Sequence, residues 1–458
     1  MEPLYSGDSM KLMLWWIAVA LSVGSCLNAQ TGAAAPQNPD PEDWNLYYQA
    51  TAVGMYHASF PAFYSGPLSL DTRSERDVSL TTTLFFGFRL LDTEFYVNPE
   101  IAGGRGFSHV NGLANSEDGE LPRVASATPK PYLARAYLIH DFGFGDEREL
   151  VESDANQLAG TRPVIRYTIA IGRFTVTDFF DDNRYTHDPR TQFLGWANMY
   201  NGAWDYPADV RGYTWGWVHE FHTRNWSLRY GSAGEPKVAN GSQLDRRIFV
   251  NHGNVYEVEH RHEWRGHPGT VRVLGYDNHA RAGNYAEALR LAASTGNPPD
   301  VTATRQDGTL KYGFGVSWDQ EVTKNWGVFG RLGWNDGKTE SFAFTAMDRL
   351  VSGGVSVSGT RWHRKDDTVA TILTFAGLSG VHANYLAHGG LDFLIGDGAL
   401  RYGLETMWET YYSARVLKWF WTSLDLMHVA NPAYNQDRGP VWIAQLRLHV
   451  ELGKSTFK

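Results

Sequence analysis

Apolar and polar side chains alternate along segments of about ten residues that recur from Tyr47 to Leu452. Such alternation is typical of β-strands that have one face in an apolar environment and the other in water. The links between the segments are by turns very short and long, as in transmembrane β-barrels, whose strands turn tightly on one side of the membrane and carry long loops on the other. The pattern therefore predicts an all-β fold, a transmembrane antiparallel β-barrel.

The strands can be counted from these links. Residues 47–57 open the series, and residues 78–90 and 93–104 form a hairpin around Leu91 and Asp92. Short links are expected at residues 223–225, 265–268, 323–325, 347–349 and 413–415 and near Gly380, and long links at residues 59–77, 105–131, 176–211, 232–251 and 281–309. The count is about 18 strands, with about 16 as the alternative if residues 341–347 and 350–359 are a misassigned pair. An even number leaves both termini in the periplasm, with the short turns.

One link does not fit the alternation. Residues 144–163 fall on the short-turn side but are long, and a small helix is expected there. A barrel of about 16 to 18 strands is wide enough for an aqueous channel, whereas a barrel of about eight strands is filled by its side chains. A pore is therefore the first functional hypothesis.

The N-terminus has the features of an export signal. Lys11 is followed by an apolar run and then by small residues up to Ala29, which predicts a secretory signal peptide over residues 1–29. Residues 30–43, rich in Ala and Pro, are expected to be a flexible leader, and residues 44–458 the barrel domain. The single cysteine, Cys26, falls within the signal, so the mature chain has no disulfide. The alternative is a lipoprotein with its lipid on Cys26.

Composition agrees with a membrane barrel. No segment after the signal reaches the roughly 18 to 20 apolar residues that a membrane helix needs, and the mean hydropathy is −0.37. The chain nevertheless contains 17 Trp, 23 Tyr and 23 Phe, which a barrel explains because aromatic residues gather at both membrane interfaces. A soluble β-sandwich or propeller would show similar alternation, but no repeat of fixed period occurs. The net charge of −9 argues against nucleic acid as a partner.

Charged residues within the strands indicate which face lines a lumen, because an Arg or Lys that faces lipid at mid-depth costs about 2 to 4 kcal/mol. In residues 255–263 the charged side chains share one parity, and aromatic, apolar and His side chains share the other. The residues expected to face the pore are Glu257, Glu259, Arg261 and Glu263 in this strand and Arg135, Arg166, Arg331, Glu405 and Glu409 in others. Carboxylates so close together require interleaved Arg, which predicts an Arg/Glu ladder that either selects solutes or stabilises the wall.

Two segments resemble a known family. In residues 172–193, GRFTVTDFFDDNRYTHDPRTQF, a strand ends in Gly-Arg-Phe and runs into an Asp-rich loop that closes on Gln-Phe. In residues 389–412 a Glu- and Tyr-rich strand leads to the closing hairpin, which contains the Asn431-Pro432 pair. These features are similar to those of the carbohydrate-selective porin (OprB) family. The resemblance implies an outer-membrane channel of a Gram-negative-type bacterium for passive, selective diffusion of mono- or oligosaccharides, with no cofactor.

The resemblance also implies that the loop over residues 176–211 folds inward and narrows the pore. Its opposed charges can exchange hydrogen bonds with sugar hydroxyls, and its aromatic rings offer faces on which a pyranose can slide. The candidates are Asp178, Asp181, Asp182, Arg184, Asp188, Arg190, Trp196 and Trp204, together with Tyr200 and Tyr206. The alternatives are a solvated loop pinned by salt bridges, for the charges, and packing of the loop against the wall, for the rings.

Other functions have less support in the residues. His260, His262 and His267 lack a third ligand at fixed spacing for a metal site, the Asp-rich loop lacks the spacing of a helix-loop-helix calcium site, and no Gly-x-Ser-x-Gly motif occurs. We therefore expect no enzyme, metal or cofactor. The alternative function is an exporter or anion-selective channel for an acidic polysaccharide, whose lumen would be dominated by Arg. The expected partners are outer-membrane lipid and small carbohydrates, with a monomer or a trimer left open.

Overall fold

The computed structural model describes residues 41–121, 126–344 and 346–453, except for the side chains of residues 126 and 127. The predicted signal peptide, residues 1–29 with Cys26, and residues 30–40 of the leader lie outside the described residues. In the described part, 16 antiparallel strands form a closed barrel, in which consecutive strands pair and the first strand pairs with the last. The predicted barrel is confirmed, with the smaller of the two strand counts.

The strands are β1 (Trp44–His57), β2 (Glu75–Leu90), β3 (Thr93–Gly104), β4 (Ser126–Val151), β5 (Gly160–Phe174), β6 (Thr214–His222), β7 (Trp226–Gly234), β8 (His252–Trp264), β9 (His267–Ala282), β10 (Gln306–Thr323), β11 (Trp326–Asn335), β12 (Arg349–Ser358), β13 (Thr368–Gly377), β14 (Glu405–Leu417), β15 (Phe420–Ala430) and β16 (Val441–Leu452). The helices are α1 (Trp196–Met199), α2 (Tyr285–Thr295) and α3 (Gly380–Ala387). No helix among the described residues is long and apolar enough to cross a membrane.

Alternate side chains of each strand point to opposite faces of the wall. On β16, Trp442 and Leu446 are exposed on the outer face, whereas Gln445 and Arg447 are buried on the inner face. The same division holds on β8, where Tyr256 is exposed and Glu257 is buried. The outer face is therefore apolar and aromatic, and the inner face carries the polar residues.

The turns alternate between the two ends of the barrel as expected. At one end the strands are joined by residues 91–92, 223–225, 265–266, 324–325 and 418–419 and by two longer turns, residues 152–159 and 359–367. At the other end the links are longer, and they include residues 58–74, 175–213, 235–251, 283–305 and 378–404. The chain enters β1 and leaves β16 on the short-turn side, which is the periplasmic side in membrane barrels.

Several expected links are wrong in position. Residues 341–347 contain no strand in their described part, because Phe342 and Phe344 belong to a link that is buried inside the barrel. Residues 347 and 348 end this link and Arg349 begins β12, and Gly380 begins helix α3 within a long link instead of a short turn. Strand β14 continues through residues 413–415 to Leu417, so that its turn falls at residues 418–419. These errors account for the higher strand count.

The long connection over residues 144–163 holds no helix. Strands β4 and β5 remain paired beyond Phe144, with a register shift between Phe144 and Arg148, as far as the pair Val151 and Gly160. The remaining residues, 152–159, form the turn itself, which folds back toward β1 and β3. The extra length therefore extends the hairpin and supplies a segment that reaches the lumen.

The hydrophobic core lies inside the barrel and is formed largely by side chains of the long links. It includes Phe107, Phe180, Trp204, Leu394 and Tyr434, all of which are fully buried. The apolar side chains of these links pack against apolar side chains on the inward faces of the strands, such as Val53 and Ile443. The core therefore holds the links within the lumen, where they define the remaining open space.

Candidate functional site

The link between β5 and β6, residues 175–213, runs inside the barrel, and we call it the inner loop. Its first turn is fixed by Asp178, whose carboxylate accepts a hydrogen bond from Nε of Arg135 on β4 at 2.7 Å. Farther along, Asp181 is bound by Arg331 on β11 at 3.0 Å. The two ion pairs attach the inner loop to opposite stretches of the wall, so that the loop crosses the lumen.

Arg331 is the most extensively bonded of these anchors and only 1% exposed. Its Nε donates to both carboxylate oxygens of Asp181, at 3.0 and 3.1 Å. Its two terminal nitrogens donate to three backbone carbonyls of the inner loop, those of Asp181, Thr186 and Asn198, at 2.8 to 3.2 Å. One wall residue therefore holds three points of the loop.

Two glutamates of β14 bind links through backbone N–H groups. Glu409 accepts from the N–H groups of Leu194 and Gly195 at 2.5 and 3.1 Å. Glu405 accepts from Ala114, at 2.9 Å, and from its neighbour Asn115, at 2.7 Å, in the β3–β4 link. Both carboxylates are fully buried. They face inward as expected, but they anchor loops and do not line open water.

The β3–β4 link also enters the lumen, and we call its residues 105–121 the second loop. The N–H of Gly119 donates to the carbonyl of Leu194 at 2.7 Å, and the N–H of Trp196 donates to the carbonyl of Ser116 at 3.0 Å. The side chain of Asn115 accepts from the N–H of Ala197 at 2.7 Å. The two loops are thus joined edge to edge inside the barrel. Sequence reasoning recognised only the length of this link, because its polar, acidic composition is also that of a solvated loop.

A cavity of about 520 Å³ remains beside the two loops. Arg190 lies on its wall and donates to Glu100 of β3 at 3.0 Å, to Glu120 of the second loop at 2.9 Å and to Gln49 of β1 at 2.9 Å. A smaller adjoining cavity of about 110 Å³ shares Glu120 and Arg190 and adds Tyr132. The arrangement gives the passage charged donors and acceptors at its narrow part.

Arg211 completes this narrow part. Its guanidinium carbon lies 3.9 Å from the centre of the Tyr132 ring, a distance at which a cation and an aromatic face attract each other. Among the described residues, no acceptor lies within hydrogen-bonding distance of its Nη1. Burial raises the pKa of the nearby Glu120 to about 7, against the pull of Arg190. The guanidinium of Arg211, the ring of Tyr132 and the titratable carboxyl of Glu120 thus line the smaller cavity together.

The other predicted residues of the inner loop lie in different surroundings. Asp188 lines the cavity of about 520 Å³ and accepts a hydrogen bond from the N–H of Arg190 at 3.0 Å. Asp182 is well exposed in a second cavity of about 550 Å³, and Arg184 pairs with Glu321 at 3.0 Å beside a third of about 380 Å³. Trp196 stacks on Phe344 at a ring distance of 5.7 Å and borders the smallest cavity.

Trp204 and Asp181 do not reach any open space. The Trp204 side chain is fully buried against Phe180 and Tyr206. Asp181 is buried beneath Arg331. The burial of Trp204 matches the packing alternative for the rings, and the ion pair of Asp181 with Arg331 matches the salt-bridge alternative for the charges. Tyr200 and Tyr206, by contrast, line the cavity of about 520 Å³.

The charged ladder runs along the inner wall from β6 to β10. Arg229 on β7 contacts Glu220, Glu257 and Glu259 at 2.8 to 3.1 Å. Arg272 on β9 continues it by binding Glu259 at 3.0 Å and Asp319 at 2.8 Å. Arg261 also binds Glu259. Glu220, Arg229, Arg272 and Asp319 were missed in the sequence, although each has the inward parity of its strand.

The remaining wall candidates differ in position. Arg166 binds Glu149 at 3.1 Å and borders the cavity of about 550 Å³. Glu263 has the expected parity but lies exposed at the turn end of β8, where it pairs with Pro268 of β9. His260 stacks on Trp226 at 4.2 Å and His262 contacts Gln320 at 3.0 Å, so neither turns toward a shared metal position.

The chain was compared with known proteins. Residues 83–452 match the family model of the carbohydrate-selective porins, OprB family. Among curated protein sequences, none matches the chain. The fold is similar to the high-pH structure of Pseudomonas putida OprB, with a TM-score of 0.66 and 15% identity over 90% of this chain and 94% of that one. The outer membrane channel DcaP of Acinetobacter baumannii aligns with a TM-score of 0.47 and 10% identity, over 90% of this chain and 97% of that one.

A closed antiparallel barrel whose long links fold into a polar lumen defines a porin. Since the family match covers most of the chain, the protein belongs to the carbohydrate-selective porin, OprB family. Its function is passive, selective diffusion of carbohydrates, as the resemblance of residues 172–193 and 389–412 implied. Members of this family are channels and not enzymes.

Proposed function

We propose that the inner loop and the second loop together form the constriction through which a small neutral sugar passes. The observation that carries the proposal is the junction of the two cavities, where Arg190, Arg211 and Glu120 line both cavities and Arg211 lies over the Tyr132 ring. Sugar hydroxyls can exchange hydrogen bonds with the charged groups, and a pyranose face can lie on an aromatic ring. Weak contacts of both kinds allow exit as well as entry.

The balance of charge favours neutral solutes over an acidic polysaccharide. Arg190 is paired with two carboxylates, and Arg135 with one. The ladder on the wall also alternates Arg with Glu or Asp. An anion would meet these carboxylates at close range, whereas a polyol needs only the mixture of donors and acceptors. An exporter of acidic polysaccharide would need an excess of Arg that the lined cavities lack.

The location of the channel follows from the same reasoning. We infer that the protein resides in the outer membrane of a Gram-negative-type bacterium after removal of residues 1–29, with the short turns in the periplasm. The apolar outer face of the strands supports contact with lipid. A monomer and a trimer both fit a closed barrel, because each chain encloses its own lumen.

Deletion of residues 184–203 tests the constriction. The ends of this segment lie close together, since the N–H of Asn201 donates to Asp181 at 2.7 Å, so a short linker can close the gap. Conductance in planar bilayers is expected to rise and block by added mono- and disaccharides to weaken. The matched control removes residues 296–298, which are exposed beyond helix α2, and is expected to leave both readouts unchanged. A folded 184–203 deletion with unchanged conductance and block would contradict the proposal.

A further inference from the structure

The turn between β4 and β5, residues 152–159, is bound to inward-facing residues of the wall on the short-turn side, and we call it the flap. The flap has eight residues and the turn over residues 359–367 has nine, whereas the five other turns on that side of the described barrel have two or three. Asn156 at its tip has a φ of 57°, a left-handed conformation that Asn tolerates better than most residues. This kink turns the chain back toward the lumen.

The flap is held from the N-terminal side of the barrel by Glu42, Asn45 and Tyr47. Glu42 accepts hydrogen bonds from Ser153, at 2.6 Å, and from the N–H of Ala159, at 3.0 Å. Asn45 donates to the carbonyl of residue 157 at 2.7 Å, and the Tyr47 hydroxyl donates to Ser153 at 3.0 Å. The carboxylate of Glu42 is therefore the central anchor, because it binds both ends of the flap.

A second set of contacts joins the flap to β3. Asn98 donates to the side-chain oxygen of Asn156 at 2.9 Å, and the N–H of Leu158 lies 3.3 Å from the Tyr96 hydroxyl. Leu158 is also the one large apolar side chain that the flap buries. The docked position thus depends mainly on hydrogen bonds to β3, the strand that pairs with β4, and to β1, three strands away in the closed barrel.

The flap borders two cavities of the lumen. The cavity of about 520 Å³ is bordered by Asp154, Ala155 and Asn156. The cavity of about 550 Å³ is bordered by Asn156, Gln157 and Leu158. Asn156 therefore lines both cavities, as Asp178 of the inner loop does, and it stands where a solute could move from one to the other.

We propose that the flap is a second selectivity filter, on the periplasmic side of the loop constriction, and that Asn156 is its specificity-determining residue for neutral polyols. The proposal rests on the channel function given above. The flap presents amide and backbone groups to the path, and amides can both donate to and accept from a hydroxyl. Two narrow points in series add their resistances, so the flap limits flux and solute size separately from the inner loop.

The test uses one variant that shortens the flap and a second variant that weakens its anchor at Glu42. Residues 152–159 are replaced by Asn-Gly, a two-residue turn that suits the pair Val151 and Gly160. Conductance in planar bilayers is expected to rise, and liposome swelling is expected to admit larger neutral sugars than the native channel does. Glu42→Gln is expected to act in the same direction but less strongly. Glu152→Gln, at an exposed position of the flap itself, is the matched control and is expected to behave as the native protein.

A reversible cross-link separates a loosened flap from a damaged barrel. Asn98→Cys with Asn156→Cys joins two side chains that are in contact, and Cys26 in the signal segment is the one native cysteine. In the Glu42→Gln background, oxidation is expected to return conductance to the native value and reduction to raise it again. The proposal is overturned if the heat-modifiable, folded Asn-Gly variant conducts and sieves sugars as the native channel does, or if oxidation has no effect.

The outcome also distinguishes the flap from the loop constriction. If deletion of residues 184–203 leaves sugar block unchanged while the Asn-Gly variant admits larger sugars, the loop constriction fails and the flap stands. If the loop deletion weakens block and the Asn-Gly variant sieves normally, the flap fails and the loop constriction stands.

Discussion

Removal of the Arg331 side chain is expected to release the inner loop from the wall. In Arg331→Met the carboxylate of Asp181 stays buried without its counter-charge, and three loop carbonyls lose their donor. Removal of one partner from a buried ion pair costs about 3 to 5 kcal/mol. Since about 1.4 kcal/mol corresponds to a tenfold change in an equilibrium constant, the docked loop should lose about two to three and a half orders of magnitude in population relative to released forms.

Single-channel recording is the assay for this release. The expected result is a higher mean conductance, more noise in the open state and weaker block by sugars, because the loop samples positions away from the lumen centre. The barrel itself should remain folded, since its strand pairing does not involve the Arg331 side chain. Heat-modifiable migration on gels checks this point.

Two further variants give the experiment its controls. Asp319→Asn removes a carboxylate from another buried ion pair, with Arg272 at 2.8 Å, that lies on the wall and does not hold the inner loop. It is expected to leave sugar block unchanged. The double variant Asp181→Asn with Arg331→Met removes both charges and should recover part of the native behaviour, because much of the cost arises from an uncompensated charge. A folded Arg331→Met channel with native conductance, noise and block would refute the reasoning.

Three other predictions follow from buried groups in the links. Glu409→Gln replaces one of two acceptor oxygens with a donor that faces loop N–H groups, so sugar block is expected to weaken in single-channel records. Glu120, with a pKa of about 7, gains its negative charge between about pH 6 and pH 8; reversal potentials in a KCl gradient should therefore show rising cation preference, which Glu120→Gln should abolish. Burial alone would lower the pKa of His382, but Asp348 and Asp392, each 3.0 Å away, outweigh it and raise this pKa to about 9. The stabilisation from the imidazolium is thus fully present below the unfolded pKa of about 6.5 and is lost progressively as pH rises to about 9, so proteolysis of helix α3 should increase between about pH 6.5 and pH 9 and change little above about pH 10.

The sequence predicted the barrel because its outer and inner faces differ so strongly in polarity. The alternation is clear wherever one face meets lipid, as on β8 and β16. The same pattern predicted a strand wrongly at residues 341–347, where Phe342 and Phe344 alternate with small residues as they would in a strand. A link packed into the hydrophobic core inside the barrel can show the period of a strand, and only pairing with neighbouring strands separates the two cases. Pairing depends on distant segments and is invisible in a local pattern.

The inner face of the wall was predictable, but the use of its charges was not. Parity alone indicated that Glu257, Glu405 and Glu409 point inward. It could not reveal that Glu405 and Glu409 bind backbone N–H groups of links more than 200 residues away in sequence. The acidic second loop was missed for the same reason, because a polar link in solvent and a polar link folded into a lumen have similar composition. The flap was missed as well, since the sequence showed that the link between β4 and β5 is long but not the direction in which it folds.

The anchors also explain how such a wide barrel can select small solutes. Sixteen strands enclose a lumen that is wide without its links, so the free diameter depends on where the links are held. Arg331, Glu405 and Glu409 hold them through buried, charge-assisted hydrogen bonds, which are about twice as strong as neutral ones. A docked link that loses one of these bonds leaves a buried charge unpaired, which favours complete release over a small displacement. In the proposed constriction, size selectivity therefore depends on these buried wall residues as well as on the residues that line the cavities, and substitutions of the wall residues should change sieving in steps.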